Sequence, residues 1–407
     1  MTRPAMAALA AVALAAACRD RAETVQNEER LSRMVTQLVP GVERATGLRF
    51  KTRPQVARRT RDQVWLYLTH KIDEDLPPQE LASYEAALEA FGLLPPGMRL
   101  RNLLLDVLKE QVVGYYDPDS MMLYVAADVD SFFLRTTVTH ELTHALQGQY
   151  LPLDSLVRQR RRNDRRSAAQ AVLEGQATLA QTLAMMPELD RAQLPSFWDA
   201  RSALAQQQAG MKQFADAPLW VREGLIFPYL AGADFVRWYE AAHPGAHPFG
   251  RAMPTSTEQI LHHDRYAAGD EPTELSFATP AADSVRYEDG LGEFETRLLL
   301  QQHLGSESIA TLLASGWDGD RYQLLGRGGA EALVWYSVWD DAAAADRFAR
   351  GLERAWARGW AGGRADRRAE IKRVTIDGRP GVRLVDAPAG WSGWKNIPRV
   401  SLTATGG

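Results

Sequence analysis

The sequence predicts an α+β protein with a mostly helical middle and a small α+β unit at its C-terminal end. Three observations carry that expectation. Segments with apolar residues at helical spacing alternate with short β-branched and aromatic runs, and neither type dominates. Val112–Val125 reads as a β-hairpin that leads into a helical stretch over Phe132–Gln147. From Tyr322 onward the patterns run strand, strand, helix, strand, strand, and seven of the eleven tryptophans lie between Trp317 and Trp394, enough aromatic material for a core of its own.

With 407 residues, 45% apolar and 24% charged, the chain has the composition of a globular protein of two or three units. A net charge of −4 with no basic half argues against nucleic acid as a partner. Cys18 is the single cysteine, so no disulfide can form within the chain. Arg3 gives a positive start, and the alanine-rich run Pro4–Ala17 is too short to span a bilayer, so residues 1–17 read as an export signal. Leu14-Ala15-Ala16-Ala17-Cys18 resembles a bacterial lipoprotein signal, with the leucine one place further from the cysteine than usual. That resemblance implies a lipid on Cys18, a tether over 18–30, and anchorage in the cell envelope. A plain secretory signal cleaved after Ala17 is the alternative, and it also exports the chain.

Taken in order, Leu31–Val39 is amphipathic and helical, Phe50–Val56 and Gln63–Thr69 read as strands, and Pro77–Gly92 and Arg99–Gln111 as helices. These form a lead-in layer over 31–110. The hairpin follows, then the helix 132–147, with Asp130 or Ser131 as its cap and Gly148 near its stop. The arginine-rich run Arg158–Arg166 reads as a solvated loop and helix start, after which a helix continues towards Met186. Gln193–Gly210 and Pro218–Ala242 look helical, and Thr255 with Glu258 has capping-box spacing for a short helix ending near His262. Asp289–Leu304 and Ser306–Ala314 read as helices, and Gly316–Tyr322 as a shaped polar-aromatic loop. Then come Tyr322–Leu325, Ala332–Trp339, Ala342–Ala357, Glu370–Thr375 and Gly381–Leu384. The expected organisation is a core over 111–315 and a C-terminal unit over 316–407.

The chemistry centres on His140-Glu141-Leu142-Thr143-His144, a His-Glu-x-x-His pattern on a helix. Four residues apart, both imidazoles point the same way and can reach one Zn²⁺ at about 2.0–2.1 Å. Glu141, one step round, flanks the metal as a general base. A third ligand is needed. Gln147 and Tyr150 stand where a metzincin has its next glycine and histidine, so the candidate is Glu174, a lone acid in the apolar and small-residue stretch Ala171–Ala180. Gly175 and Ala177 beside it would let this helix approach the first closely.

His140, His144 and Glu174 together resemble the gluzincin metallopeptidases, the thermolysin-like class with HExxH and a downstream glutamate. The resemblance covers about Gly114 to Thr178. It implies a gluzincin-like catalytic core: a β-hairpin with an edge strand that pairs with extended substrate, a zinc helix, and a mostly α second lobe. On it, Gly114–Tyr116 or Met121–Val125 is the substrate-binding edge. His262, Tyr322 and Arg321 are candidates, in falling order, for the donor that stabilises the oxyanion. In thermolysin an acidic residue four places after the ligand glutamate orients a ligand histidine; here Thr178 stands there, so the orienting group must come from elsewhere. The implied activity is peptide-bond hydrolysis by a zinc enzyme acting on peptides or proteins. Two readings compete: a zinc-containing envelope protein that only binds or assembles, against which retention of Glu141 argues, and a zinc hydrolase of non-peptide amides.

Overall fold

The computed structural model describes residues 26–126, 131–201, 206, 210–278, 283–326, 331–358 and 366–403. The export signal, Cys18, most of the tether and Asp130 lie outside the described residues. The described chain divides into two compact units with interleaved segments, the first drawn from Met1–Tyr67, Val112–Leu151 and Ala177–Gln193, the second from the remainder.

In the first unit, helix α1 covers residues 26–46, so residues 26–30 of the expected tether are helical. Strand β1 (Gln55–Arg59) follows, then helix α2 (Arg61–Asp75), which includes the Gln63–Thr69 segment expected as a strand. The reason is a reciprocal cap: Thr60 N–H donates to Gln63 Oε1 at 2.9 Å and Gln63 N–H to Thr60 Oγ1 at 3.2 Å. Those two bonds start a helix in which Trp65 and Tyr67 sit despite their preference for strands. The hairpin is present as β2 (Gly114–Asp117) and β3 (Met122–Ala126). The sheet order is β1-β3-β2, with β1 parallel and β2 antiparallel to β3. Because β3 is paired on both sides, Met121–Val125 is excluded as a substrate edge and β2 remains. Helix α5 (Ser131–Gln147) packs on this sheet through Leu134, Val138, Leu142 and Leu146. Leu31, Val35, Leu38 and Val42 of α1 complete the core from their own stripe.

The second unit holds helix α3 (Pro78–Phe91), closed by Gly92 at φ 69°, and helix α4 (Leu100–Gln111). The lead-in layer is therefore two parts, 31–67 in the first unit and 68–110 in the second. Helix α6 (Leu153–Val157) precedes helix α7 (Asn163–Met185), whose residues to Gln176 belong to this unit and whose last turns belong to the first. Residues 194–200 are not helical, contrary to expectation, and much of 201–210 lies outside the described residues. Short helix α8 (Lys212–Asp216), long helix α9 (Leu219–Ala242) and the pair α10 (Thr257–Leu261) and α11 (His263–Ala268) follow. Ser256, one place later than expected, caps α10 by accepting from Gln259 N–H.

The C-terminal α+β layer starts earlier than residue 316. After β4 (Leu275–Phe277) comes β5 (Val285–Asp289), then helices α12 (Gly292–Leu304) and α13 (Glu307–Ala314). Strands β6 (Trp317–Leu325) and β7 (Ala332–Trp339), helix α14 (Ala342–Ala357), and strands β8 (Arg367–Ile376), β9 (Arg379–Pro388) and β10 (Val400–Leu402) complete it. The five-stranded sheet is antiparallel in the order β5-β6-β7-β9-β8. The Gly316–Tyr322 stretch is thus mostly strand. It reads as a loop in sequence because buried Asp318 and Asp320 interrupt the apolar alternation. Asp320 accepts from the backbone N–H of Leu291 and Gly292 at 2.8 and 2.9 Å and from the indoles of Trp317 and Trp335 at 3.2 and 2.8 Å. Asp289 accepts from Asn163 N–H at 3.0 Å, and Asp164 from Thr257 N–H at 3.0 Å. Buried Asp289 and half-buried Asp164 therefore tie the start of α7 to the sheet and to α10, and desolvation pushes Asp164 up to about 8 against the pull of the Thr257 bonds.

Candidate metal centre

Helix α5 is long enough to hold the histidine pair on its third and fourth turns, and its buried stripe keeps those turns in place. His140 Nε2 and His144 Nε2 face each other at 3.1 Å, with the rings edge-on at 78°. Glu174 of α7 joins them: the ligand atoms of His140, His144 and Glu174 all lie within 4.8 Å of one another, and each residue is half-buried. The trio could hold a metal ion. Two nitrogens at a tetrahedral Zn²⁺ stand about 3.3–3.4 Å apart, close to the spacing of the two imidazoles. Two imidazoles and one carboxylate are a donor set suited to Zn²⁺, and half-burial leaves the centre approachable.

Around the trio, two hydrogen bonds orient side chains. The Tyr116 N–H, on the side of β2 that β3 does not use, donates to Glu141 Oε2 at 2.8 Å. His144 Nδ1 lies 2.9 Å from Gln147 Oε1, and Gln147 is fully buried. Tyr116 runs beside α5 as far as Gly148, where an added Cβ would stand 3.1 Å from both its ring and its hydroxyl. Glu174 sits beside a close helix crossing. Gly175 permits close approach to α9: a Cβ there would be 2.1 Å from the carbonyl carbon of Gly232, and one on Gly232 would be 1.9 Å from the Ala171 carbonyl oxygen.

The three proposed oxyanion donors are engaged elsewhere. Tyr322 is 1% exposed, with its ring against Phe91 in the core behind the five-stranded sheet, so it is a core residue and not a substrate donor. Arg321 pairs with Glu288 at 2.9 Å and donates to the Arg161 carbonyl at 3.1 Å, a structural ion pair. His262, at the junction of α10 and α11, holds Glu293 at 2.9 Å, and that bond raises its pKa against the effect of burial. None of the three belongs to the metal-ligand group. Sequence reasoning missed Gln147 and Tyr116 as orienting groups; the i, i+3 spacing of His144 and Gln147 was the available signal for the first.

Comparisons with known proteins leave this centre unassigned. The family described as a domain of unknown function, DUF8575, matches residues 283–389, which cover β5 to β9 and not the metal-ligand trio. No curated protein matches. A crystal structure from Chloroflexus aurantiacus, of a protein proposed as a hydrolase and described as having a novel fold, aligns with a TM-score of 0.39 and 20% identity over 60% of this chain and 90% of that one.

Proposed function

We propose that the chain is a zinc-dependent hydrolase of peptide bonds, with His140, His144 and Glu174 as metal ligands and Glu141 as general base. The observation that supports it is the meeting of a glutamate more than two dozen residues downstream with the two histidines of one helix. Glu141, which a purely structural metal site would not need, is meanwhile oriented by the Tyr116 amide. A bound Zn²⁺ supplies Lewis acidity, polarising an amide carbonyl and making a water easier to deprotonate. Glu141 takes the proton of the attacking water and returns it to the departing nitrogen. The Tyr116 N–H holds one carboxylate oxygen so that this exchange meets the substrate in a fixed direction. Since β2 is an edge strand beside α5, an extended peptide has a place to pair next to Glu141. Export and a lipid on Cys18, placing the enzyme in the cell envelope, complete the proposal.

The test is Glu141→Gln in the full chain, with wild type assayed against a broad peptide library. Turnover should fall by about 10²–10⁴ while metal content stays near that of the wild type. A zinc-loaded wild type that cleaves nothing in the library would refute the enzymatic reading.

A further inference from the structure

We infer that Gln147 is the positioning residue of the metal centre, holding the His144 ring so that its Nε2 is presented to the ion. The inference rests on the zinc reading above and adds the group that Thr178 fails to supply. His144 Nδ1 is 2.9 Å from the Gln147 amide oxygen, which can only accept, so the ring proton resides on Nδ1 and the Nε2 lone pair is left for a ligand. Gln147 is fully buried on the same helix, where its rotamer is held by packing and where an amide oxygen without a partner would be costly. On the far side of the ring, Nε2 faces His140 Nε2 at 3.1 Å, the direction in which an ion shared by both must lie. A neutral acceptor has a further consequence. Two imidazoles and one carboxylate carry a single negative charge, so with a divalent cation the centre keeps one net positive charge, which an anionic orienting residue would cancel.

The experiment compares zinc affinity, by competition with a chromophoric chelator, in wild type, Gln147→Leu and Gln147→Glu, all as full chains. Thermal unfolding of the metal-free proteins serves as the structural control. Loss of the acceptor in Gln147→Leu should weaken zinc binding by about 10–100-fold, and Gln147→Glu, which keeps an oxygen at the same place, should restore it to within a few-fold. Histidine-selective ¹⁵N spectra of the zinc-loaded protein should show a His144 Nδ1 proton in wild type and Gln147→Glu, with its resonance shifted or lost in Gln147→Leu. If leucine disturbs packing, Gln147→Met, nearer in shape, takes its place in the same comparison. Wild-type affinity in the leucine or methionine variant, or a glutamate variant as weak as leucine, overturns the role of Gln147 and leaves the zinc reading standing. A wild-type chain that binds no zinc overturns both.

Discussion

Replacing Gly175 with alanine tests how Glu174 is placed. The new Cβ would lie 2.1 Å from the Gly232 carbonyl carbon, 2.4 Å from its oxygen and 2.5 Å from the Ala233 nitrogen. All three are backbone atoms of α9, so no side chain can swing aside. With ordinary contact starting at 3.4 Å, the axes of α7 and α9 must separate by about 1.3 Å at this crossing, an overpacking that costs about 1–3 kcal/mol. A rigid backbone obstacle puts the cost near about 3 kcal/mol, and the helix preference of alanine over glycine returns about 1, leaving a net loss of about 2 kcal/mol. Gly224 on α9 is the internal control: nothing stands within 4 Å of its Cβ position, so Gly224→Ala should only gain, by up to about 1 kcal/mol. Denaturant unfolding of the two metal-free variants should differ by about 3 kcal/mol, and zinc affinity should fall in Gly175→Ala alone because its neighbour Glu174 moves with the helix. Equal or greater stability in Gly175→Ala than in Gly224→Ala would refute the close crossing.

Two other outcomes are expected. Asp164 has a carboxyl raised from 3.8 to about 8, chiefly by burial, so the stability it contributes is fully present below its unfolded pKa and is lost as pH rises through the folded one. Asp164→Asn, which keeps the oxygen that accepts from Thr257, should therefore match wild type near pH 4 and be the more stable above pH 8; parallel stability-pH curves for the two chains would contradict this. Cys18→Ser should release the protein from the membrane fraction, and unchanged partitioning would leave only the plain secretory signal.

Helices with local punctuation were legible in the sequence. Pro78 at the start and Gly92 past the end bound α3, Asp341 caps α14 by accepting from Ala344 N–H, and the Asp117-Pro118 turn marks the hairpin. Where a cap and residue propensity disagreed, propensity lost. Trp65, Tyr67 and the β-branched Thr69 suggest a strand, yet a four-residue cap at Thr60–Gln63 decides for a helix, because it satisfies backbone donors that a propensity scale does not count. The opposite error occurred at Trp317–Leu325. Asp320 looks like a loop residue until the Trp335 indole and the backbone amides of Leu291 and Gly292 arrive to satisfy it, and none of those partners is adjacent in sequence.

The centre divides along the same line. His140, Glu141 and His144 are one periodicity on one helix, and Glu174 betrayed itself as a charge in an apolar run that needs a partner, which the gluzincin resemblance supplied. The edge strand could not be chosen from sequence. Gly114–Tyr116 and Met121–Val125 are equivalent in any reading of the hairpin, and β1, more than sixty residues before β3, removes the second by pairing with it. The Tyr116 amide lies on the side of β2 away from β3 and Glu141 accepts it, so the Glu141 carboxylate is oriented by the register of the hairpin and its packing beside α5. Tyr322 failed as a donor for the converse reason. Polar and aromatic density around it suggested a site, but a strand covered on both faces uses such residues to satisfy its own core, with Tyr322 against Phe91 and Asp320 under Trp335. Density of chemistry-bearing residues is therefore a weaker guide to the metal-ligand group of this chain than the isolation of one such residue among apolar neighbours.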